Sequence, residues 1–437
     1  MSRLVLSALA VTLVCAEAAH AAGQKPPNIV ILYADDIGYG DLGCYGHPTI
    51  RTPQIDRMAR DGMRFTQFYS ASPVCSPSRA ALLTGRLPIR TGINRVLNPR
   101  SLGGIQADEI TIGDALKRKG YATLCIGKWH LGHLAPYRPT RHGFDHYYGL
   151  LYSNDMQPLS LYRDDEEVEN PVHQATLTER YTEEALRFIK AHDRADSSPF
   201  FLYLAYTMPH VPLAASPRFA GRSRRGLYGD VLETIDWSVG QILTLLRDRQ
   251  LAENTFVFFS SDNGPWLSRG LHGGSAGLLR QGKGSTWEGG VREPGIAWWP
   301  GKIAPAGVAI DLAATMDLFP TCLKLAGAEL PADREIDGKD LLPLLLGRGK
   351  GQREVIYYYI DRDLTAIRRG PWKAHFITQI EFGDRVRDLH DPPLLFNLEQ
   401  DPSEKYNLAA EHPEIVADLI KEAERHTRSV KPGKPQT

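Results

Sequence analysis

Residues 28–33, Asn-Ile-Val-Ile-Leu-Tyr, leave the fold little freedom. They lack the polar/apolar alternation of a strand with one wet face, so they read as a strand covered on both sides. The pattern returns three times, each time after a helix. Ile112 to Lys119 has helical spacing and leads to the apolar run Ala122 to Ile126. Tyr181 to His192 leads to Phe200 to Tyr206, and Leu232 to Arg249 leads to Thr255 to Ser260. Helices alternating with continuous apolar strands predict an α/β fold built on a large, mainly parallel or mixed sheet between helical layers.

The last hundred residues follow another rule. Glu354 to Ile360, Thr365 to Arg368 and Trp372 to Ile377 are short strand-like segments, the last two joined by a turn at Arg369-Gly-Pro371. Leu394 to Leu398 adds another, and Pro413 to His426 a closing helix. Short strands on tight turns predict a small antiparallel sheet. The change falls between Asp337 and Gly351, giving a main domain over 23–340 and a subdomain over 341–437.

The N-terminus carries a basic Arg3, an apolar Leu4 to Ala16 and the small-residue pattern Ala19-His-Ala21, so residues 1–22 read as a secretory signal peptide and the protein as exported, periplasmic or secreted. Cys15 would suit a lipid anchor less well, because the bulky Val14 precedes it. No later segment is apolar enough for stable membrane insertion. Lys plus Arg and Asp plus Glu both number 51, which gives no global reason to expect a nucleic-acid partner. Cys44, Cys75, Cys125 and Cys322 are too few and too scattered for a disulfide scaffold and lack zinc spacing.

Polar residues collect just beyond four of the predicted strands: Asp35-Asp36, Lys128-Trp-His130, Pro209-His210 and Asp262-Asn263. Ligands of open α/β sheets bind beyond the carboxyl ends of strands, so the four endings predict one site. Asp35, Asp36, Asp262 and Asn263 offer only oxygen. Three carboxylates together repel, and a hard divalent cation relieves them; the loose all-oxygen set favours calcium over magnesium. Cys75-Ser-Pro-Ser-Arg79 opens a helix, with Ser76 or Cys75 as cap and Pro77 in the first turn. Cys75 then lies where a helix attracts anions, with Arg79 on the same face. Gly277 to Gly284 nearly matches a P-loop, but Gly284 replaces the metal-binding hydroxyl, and Lys283 on a flexible loop reaching an anion explains it better.

These motifs together resemble the type I sulfatases, most closely the arylsulfatase A and N-acetylgalactosamine-6-sulfatase group, with an alkaline-phosphatase-like fold. The likeness rests on Cys75-x-Pro-x-Arg79, on Pro27 to Asp41, on Gly127-Lys-Trp-His-Leu-Gly132, on Ser261-Asp-Asn-Gly264, on Gly282 to Pro294 and on Leu394 to Pro402. It implies that a formylglycine-generating enzyme oxidises Cys75 to formylglycine. The hydrated aldehyde, on calcium held by Asp35, Asp36, residue 75, Asp262 and Asn263, attacks sulfur to give a covalent sulfate ester. His210 and Lys283 serve the leaving oxygen, His130 takes the proton that expels sulfate, and Arg79 and Lys128 stabilise charge. Ser153 aligns with a substrate contact, as do Lys128, His210 and Lys283. His47, His133, His142, His146 and His272 are expected to be structural or exposed. The competing expectations are a phosphomonoester or phosphonate monoester hydrolase, for which Ser or Thr would be the usual nucleophile, and a non-catalytic binder of sulfated glycans. Neither the sulfated substrate, small molecule or glycan, nor the oligomeric state is legible.

Overall fold

The structure, a computed structural model, describes residues 25–194, 196–382 and 386–436. The expected signal peptide lies outside them. The larger sheet contains β1 (Asn28–Ala34), β2 (Met63–Tyr69), β3 (Ala122–Lys128), β4 (His146–Leu150), β5 (Leu161–Arg163), β6 (Glu166–Glu169), β7 (Phe200–Ala205), β8 (Thr255–Ser261), β9 (Arg292–Trp298), β10 (Gly307–Ala309) and β11 (Ala313–Ala314). Across the sheet they run β10-β2-β9-β8-β1-β7-β3-β4-β5-β6, with β11 also on β2. The four strands with polar endings, β8, β1, β7 and β3, are therefore consecutive. They are mutually parallel, so their carboxyl ends share one edge.

The reason β1 is apolar from Ile29 onward is its position. Ile29, Ile31 and Tyr33 enter the core on one face, and Val30, Leu32 and Ala34 the core on the other. Period-two alternation thus survives, with both sets of side chains buried. Truncating one such residue to Ala would cost about 2–5 kcal/mol.

Helices cover both faces: α1 (Pro53–Arg60), α2 (Cys75–Thr84), α3 (Ile112–Lys117), α4 (Leu177–Ala191), α5 (Leu227–Asp248) and α6 (Leu318–Leu325). The helix α3 starts in a reciprocal capping box between Thr111 and Asp114. The cap of α1 comes from another helix: Asp236 of α5 accepts from the Gln54 and Ile55 amides at 2.9 and 2.8 Å. No helix among the described residues is long and apolar enough to cross a membrane.

Strands β2 and β9 have no counterpart in the sequence reading. Pro294 and Gly295 lie inside β9, and such residues normally argue against a strand. Here the β2–β9 register shifts between Phe65 and Phe68, opposite Pro294, so no ladder bond is demanded of the proline. Any side chain at 295 would strike the Phe68 ring at 2.7 Å. The sheet is mixed: β9 runs antiparallel to both β8 and β2, and β5 to both β4 and β6.

The smaller sheet is antiparallel: β12 (Val355–Ile360), β13 (Asp363–Arg369), β14 (Trp372–Thr378) and β15 (Asp388–Asn397), in that order. Helix α7 (Pro413–Ser429) buries Val416 and Leu419 against Ile367, Ala374 and Leu395. Buried Glu288 joins the two sheets, accepting from Lys373 Nζ of β14 at 2.8 Å and from the Tyr69 hydroxyl of β2 at 2.6 Å. Burial alone would raise Glu288, yet Lys373, Arg368 and Arg292 hold it down at about 2.

Candidate active site

β1 delivers Asp35 and Asp36 in its first two residues beyond the sheet, and β8 delivers Asp262 and Asn263 in the same way. Asp36 adopts φ 68°, and its amide donates to Asp262 Oδ1 at 3.2 Å. That left-handed step, tolerated by Asp better than by most residues, lets consecutive carboxylates serve one site. Oxygens of Asp35, Asp36 and Asp262 and the Cys75 Sγ all lie within 4.8 Å of one another and are buried. The fifth expected metal ligand, Asn263, donates through Nδ2 to Asp36 Oδ1 at 2.7 Å, while its buried Oδ1 has no partner among the described residues.

Three cationic side chains interleave with the three carboxylates. Arg79 donates from Nε and Nη2 to Asp262 Oδ2 at 3.0 and 2.8 Å, and from Nη1 to the Lys128 carbonyl. Lys128 Nζ, at the end of β3, meets Asp35 Oδ2 at 2.6 Å. Lys283 Nζ meets both oxygens of Asp36 at 2.7 and 2.8 Å. Burial pushes Asp36 up to about 6, with Lys283 opposing and Asp35 and Asp262 reinforcing the rise. Burial, then Asp35, raises Asp262 too. At Asp35 the order reverses: burial raises it, but Lys128, His210, Arg79 and Lys283 together hold it well below the usual range.

Cys75 opens α2, but neither it nor Ser76 caps the helix. The N-cap is Val74, which has no capping side chain, and Ser76 Oγ instead accepts from the Leu97 amide at 3.0 Å. Pro77 fits because the amide it lacks is one of those a helix start leaves unpaired. Burial pushes the Cys75 thiol up to about 12, against the pull of Lys128 and Lys283. The helix start therefore does not make this thiol a thiolate nucleophile at neutral pH.

Two histidines flank the cluster. His130 is buried at φ 60°, with Nε2 against the Leu97 carbonyl at 2.8 Å and Nδ1 without a partner. His210 follows β7, with Nε2 3.7 Å from Asp36 Oδ2. Burial, with Lys128 at His130 and Lys283 at His210, lowers both rings well below the ordinary imidazole value, so both are neutral. Ser153 Oγ lies 3.2 Å from Lys128 Nζ and 3.4 Å from His210 Nδ1. All eleven residues expected from the sequence thus lie in or against one buried cluster. Two neighbours were not expected. Asn154 holds His210 Nδ1 at 3.1 Å, and the Trp266 ring packs against both His210 at 5.4 Å and Lys283 Nζ at 4.5 Å. The only hints in the sequence were that Asn154 adjoins Ser153 and that Trp266 follows Asn263 after Gly264 and Pro265.

Such an arrangement can serve an oxyanion: oxygens able to hold a cation, fixed cationic donors and two neutral imidazoles surround one oxidisable side chain. The Sulfatase family model matches residues 27–328, and the model of the C-terminal region of aryl-sulfatase matches 351–437. N-acetylgalactosamine-6-sulfatase of Canis lupus familiaris is 44% identical, over 95% of this chain and 88% of its own length. Arylsulfatase A of Homo sapiens is 43% identical over 93% and 89%. The crystal structure of a sulfatase from Pseudoalteromonas sp. superposes with a TM-score of 0.86 at 30% identity, covering 95% of this chain and 94% of that one. With family models matching residues 27–328 and 351–437 and relatives 43–44% identical over more than nine-tenths of the chain, the protein belongs to the sulfatase family of sulfuric ester hydrolases.

Proposed function

We propose that this protein is an exported enzyme that hydrolyses aryl or carbohydrate sulfate monoesters to alcohol and inorganic sulfate, using formylglycine made from Cys75 and a calcium ion. The observation that carries the reading is the packing of the Cys75 Sγ with oxygens of Asp35, Asp36 and Asp262 inside 4.8 Å. Residues 23–340 would form the catalytic domain and 341–437 its subdomain, with residues 1–22 removed on export and a formylglycine-generating enzyme acting during maturation.

The residues fit the ion. Asp35, Asp36, Asp262 and Asn263 present hard oxygens, and the buried Asn263 Oδ1 is a ligand atom left without a partner among the described residues. Arg79, Lys128 and Lys283 balance the three carboxylates, so a divalent cation leaves two positive charges for a sulfate. When bound, the ion polarises sulfate oxygens and the hydrated aldehyde at position 75 supplies the attacking hydroxyl. Arg79 fixes Asp262 and the end of β3, so these charges need no rearrangement as the bond breaks. Lys283 Nζ, beside Asp36, supplies positive charge to the departing ester oxygen, and His210 Nε2 gives it a proton once the ring, whose own N–H at Nδ1 is held by the Asn154 and Val211 oxygens, has taken up a second proton as the anionic substrate binds. His130, neutral and with an unpartnered Nδ1, accepts the proton whose removal frees sulfate and restores the aldehyde. Ser153 joins Lys128 and His210 in contacting the substrate.

The test is turnover of an aryl sulfate and its matched aryl phosphate by enzyme co-produced with the maturation enzyme. Mass spectrometry of the peptide containing residue 75 and a calcium-stripped sample accompany it. The sulfate ester is expected to be preferred, the peptide to weigh less than its thiol form, and activity to vanish with the ion. Preference for phosphate would favour a phosphomonoesterase. Ligand binding by an unmodified, inactive protein would favour a glycan binder.

A further inference from the structure

Beside the catalytic cluster lies a cavity of about 490 Å³ whose wall includes Pro73, Val74, Asn94, Gly284, Phe382 and Arg387. Val74 immediately precedes Cys75 and Gly284 immediately follows Lys283, and successive α-carbons lie only about 3.8 Å apart. The Gly284 amide donates to the Pro73 carbonyl at 2.9 Å, so the two flanks meet at this wall.

The polar inventory of the wall is specific. Arg95 and Asp361 neutralise each other, with Nε and Nη2 on the two carboxylate oxygens at 2.8 and 3.1 Å. Gln379 Nε2 donates to the Gly284 carbonyl at 2.7 Å. Arg387 differs. Its Nη1 donates to Asp363 at 2.6 Å, while Nε and Nη2 are buried with no partner among the described residues, so a ligand meets them when the side chain, 27% exposed, turns that edge into the cavity. Those two parallel donors form the edge that grips two oxygens of a carboxylate or sulfate. Asn94, 7% exposed, has an Oδ1 likewise unpartnered and able to accept from a hydroxyl. Phe382, packed on Trp266 with ring centroids 5.6 Å apart, adds an apolar wall of the kind that lies against a sugar ring.

We infer that this cavity is a subsite for a second anionic sugar, whose carboxylate or sulfate takes the Nε/Nη2 edge of Arg387 while a hydroxyl donates to Asn94 Oδ1. The inference rests on the sulfatase reading and narrows it from sulfate esters in general to glycans with an anionic unit next to the sulfated one.

The experiment compares disaccharides identically sulfated at the hydrolysed position, whose neighbouring unit is a neutral hexose, a uronic acid or a sulfated hexose, with an aryl sulfate alongside. Wild-type enzyme should favour one or both anionic neighbours over the neutral one by about tenfold or more in kcat/KM, mostly through KM. The preferred arm tells carboxylate from sulfate. Arg387→Gln should bring the ratio close to one. Arg387→Lys, which keeps a charge for Asp363 but not the parallel donors, should lose most of it. Calorimetry with the unsulfated uronic-acid disaccharide supplies a readout free of turnover: binding by wild type and none by Arg387→Gln supports a carboxylate subsite. A wild-type ratio near one, or a ratio untouched in both variants, overturns the subsite while leaving aryl sulfate hydrolysis intact. Failure on every ester, aryl sulfate included, overturns the sulfatase reading instead.

Discussion

At the scale of the residue, Lys283 is the charge on which the proposed chemistry leans most. Its Nζ lies on both oxygens of Asp36 and over the Trp266 ring, so it is held where it stands. A fixed, desolvated cation facing charge that develops only in the transition state is worth about 3–4 kcal/mol. Lys283→Ala is therefore expected to lower kcat about 10²–10³-fold with a smaller change in KM, read by steady-state kinetics on an aryl sulfate. A kcat within about threefold of wild type would remove Lys283 from the chemistry. That the site residues would cluster was legible because nearly all of them follow a strand end or sit in a motif of fixed spacing, Ser153 being the weakest case. Trp266 and Asn154 were not, since one is an ordinary aromatic and the other an ordinary loop amide until the fold brings His210 to them.

At the scale of the element, helix α1 illustrates a start signal supplied from a distance. Thr52, its N-cap, gives its hydroxyl to Asp56, and the open amides of Gln54 and Ile55 are taken by Asp236 of α5. Asp236→Ala leaves two buried donors unpaired, so a loss of about 2–3 kcal/mol is expected in denaturant unfolding. Asp236→Asn keeps an acceptor oxygen and removes the ionisation. Burial raises Asp236 from 3.8 to about 7 in the folded state. The unfolded chain then releases its proton first, so the wild type loses stability as pH rises from about 4 through 7. The Asn variant should lack that slope, which melting curves across this range would reveal. The sequence located α4 and α5 but began them late, at Tyr181 and Leu232 rather than Leu177 and Leu227, because their first turns are less regular in hydrophobic spacing.

At the scale of the whole molecule, the smaller sheet is held to the larger one through buried ions. Glu288 accepts from Lys373 and Tyr69, and Glu404 accepts from His375 at 2.7 Å and from the Glu288 amide at 2.7 Å. Lys373→Met strands a buried carboxylate and is expected to cost about 3–5 kcal/mol in unfolding free energy. Replacing Glu288 by Met in the same chain should restore part of it, because an apolar pair carries no uncompensated charge; equal losses in the single and double variants would deny the coupling. The docking also sets the active-site wall: the Phe382 amide donates to the Lys283 carbonyl at 2.9 Å, and a side chain at Gly284 would strike the Phe382 amide at 2.1 Å. The sequence by itself determined the elements with local signatures: strands apolar on both faces, amphipathic helices, and the acidic, basic and thiol residues at their ends. Tertiary structure alone decided that β8, β1, β7 and β3 lie side by side, that β2 and β9 pair across a shifted register, and that Arg387 faces the cavity beside Cys75. Hydrophobic period is a property of neighbours along the chain, whereas strand order and the meeting of residues hundreds of positions apart depend on which distant surfaces pack together.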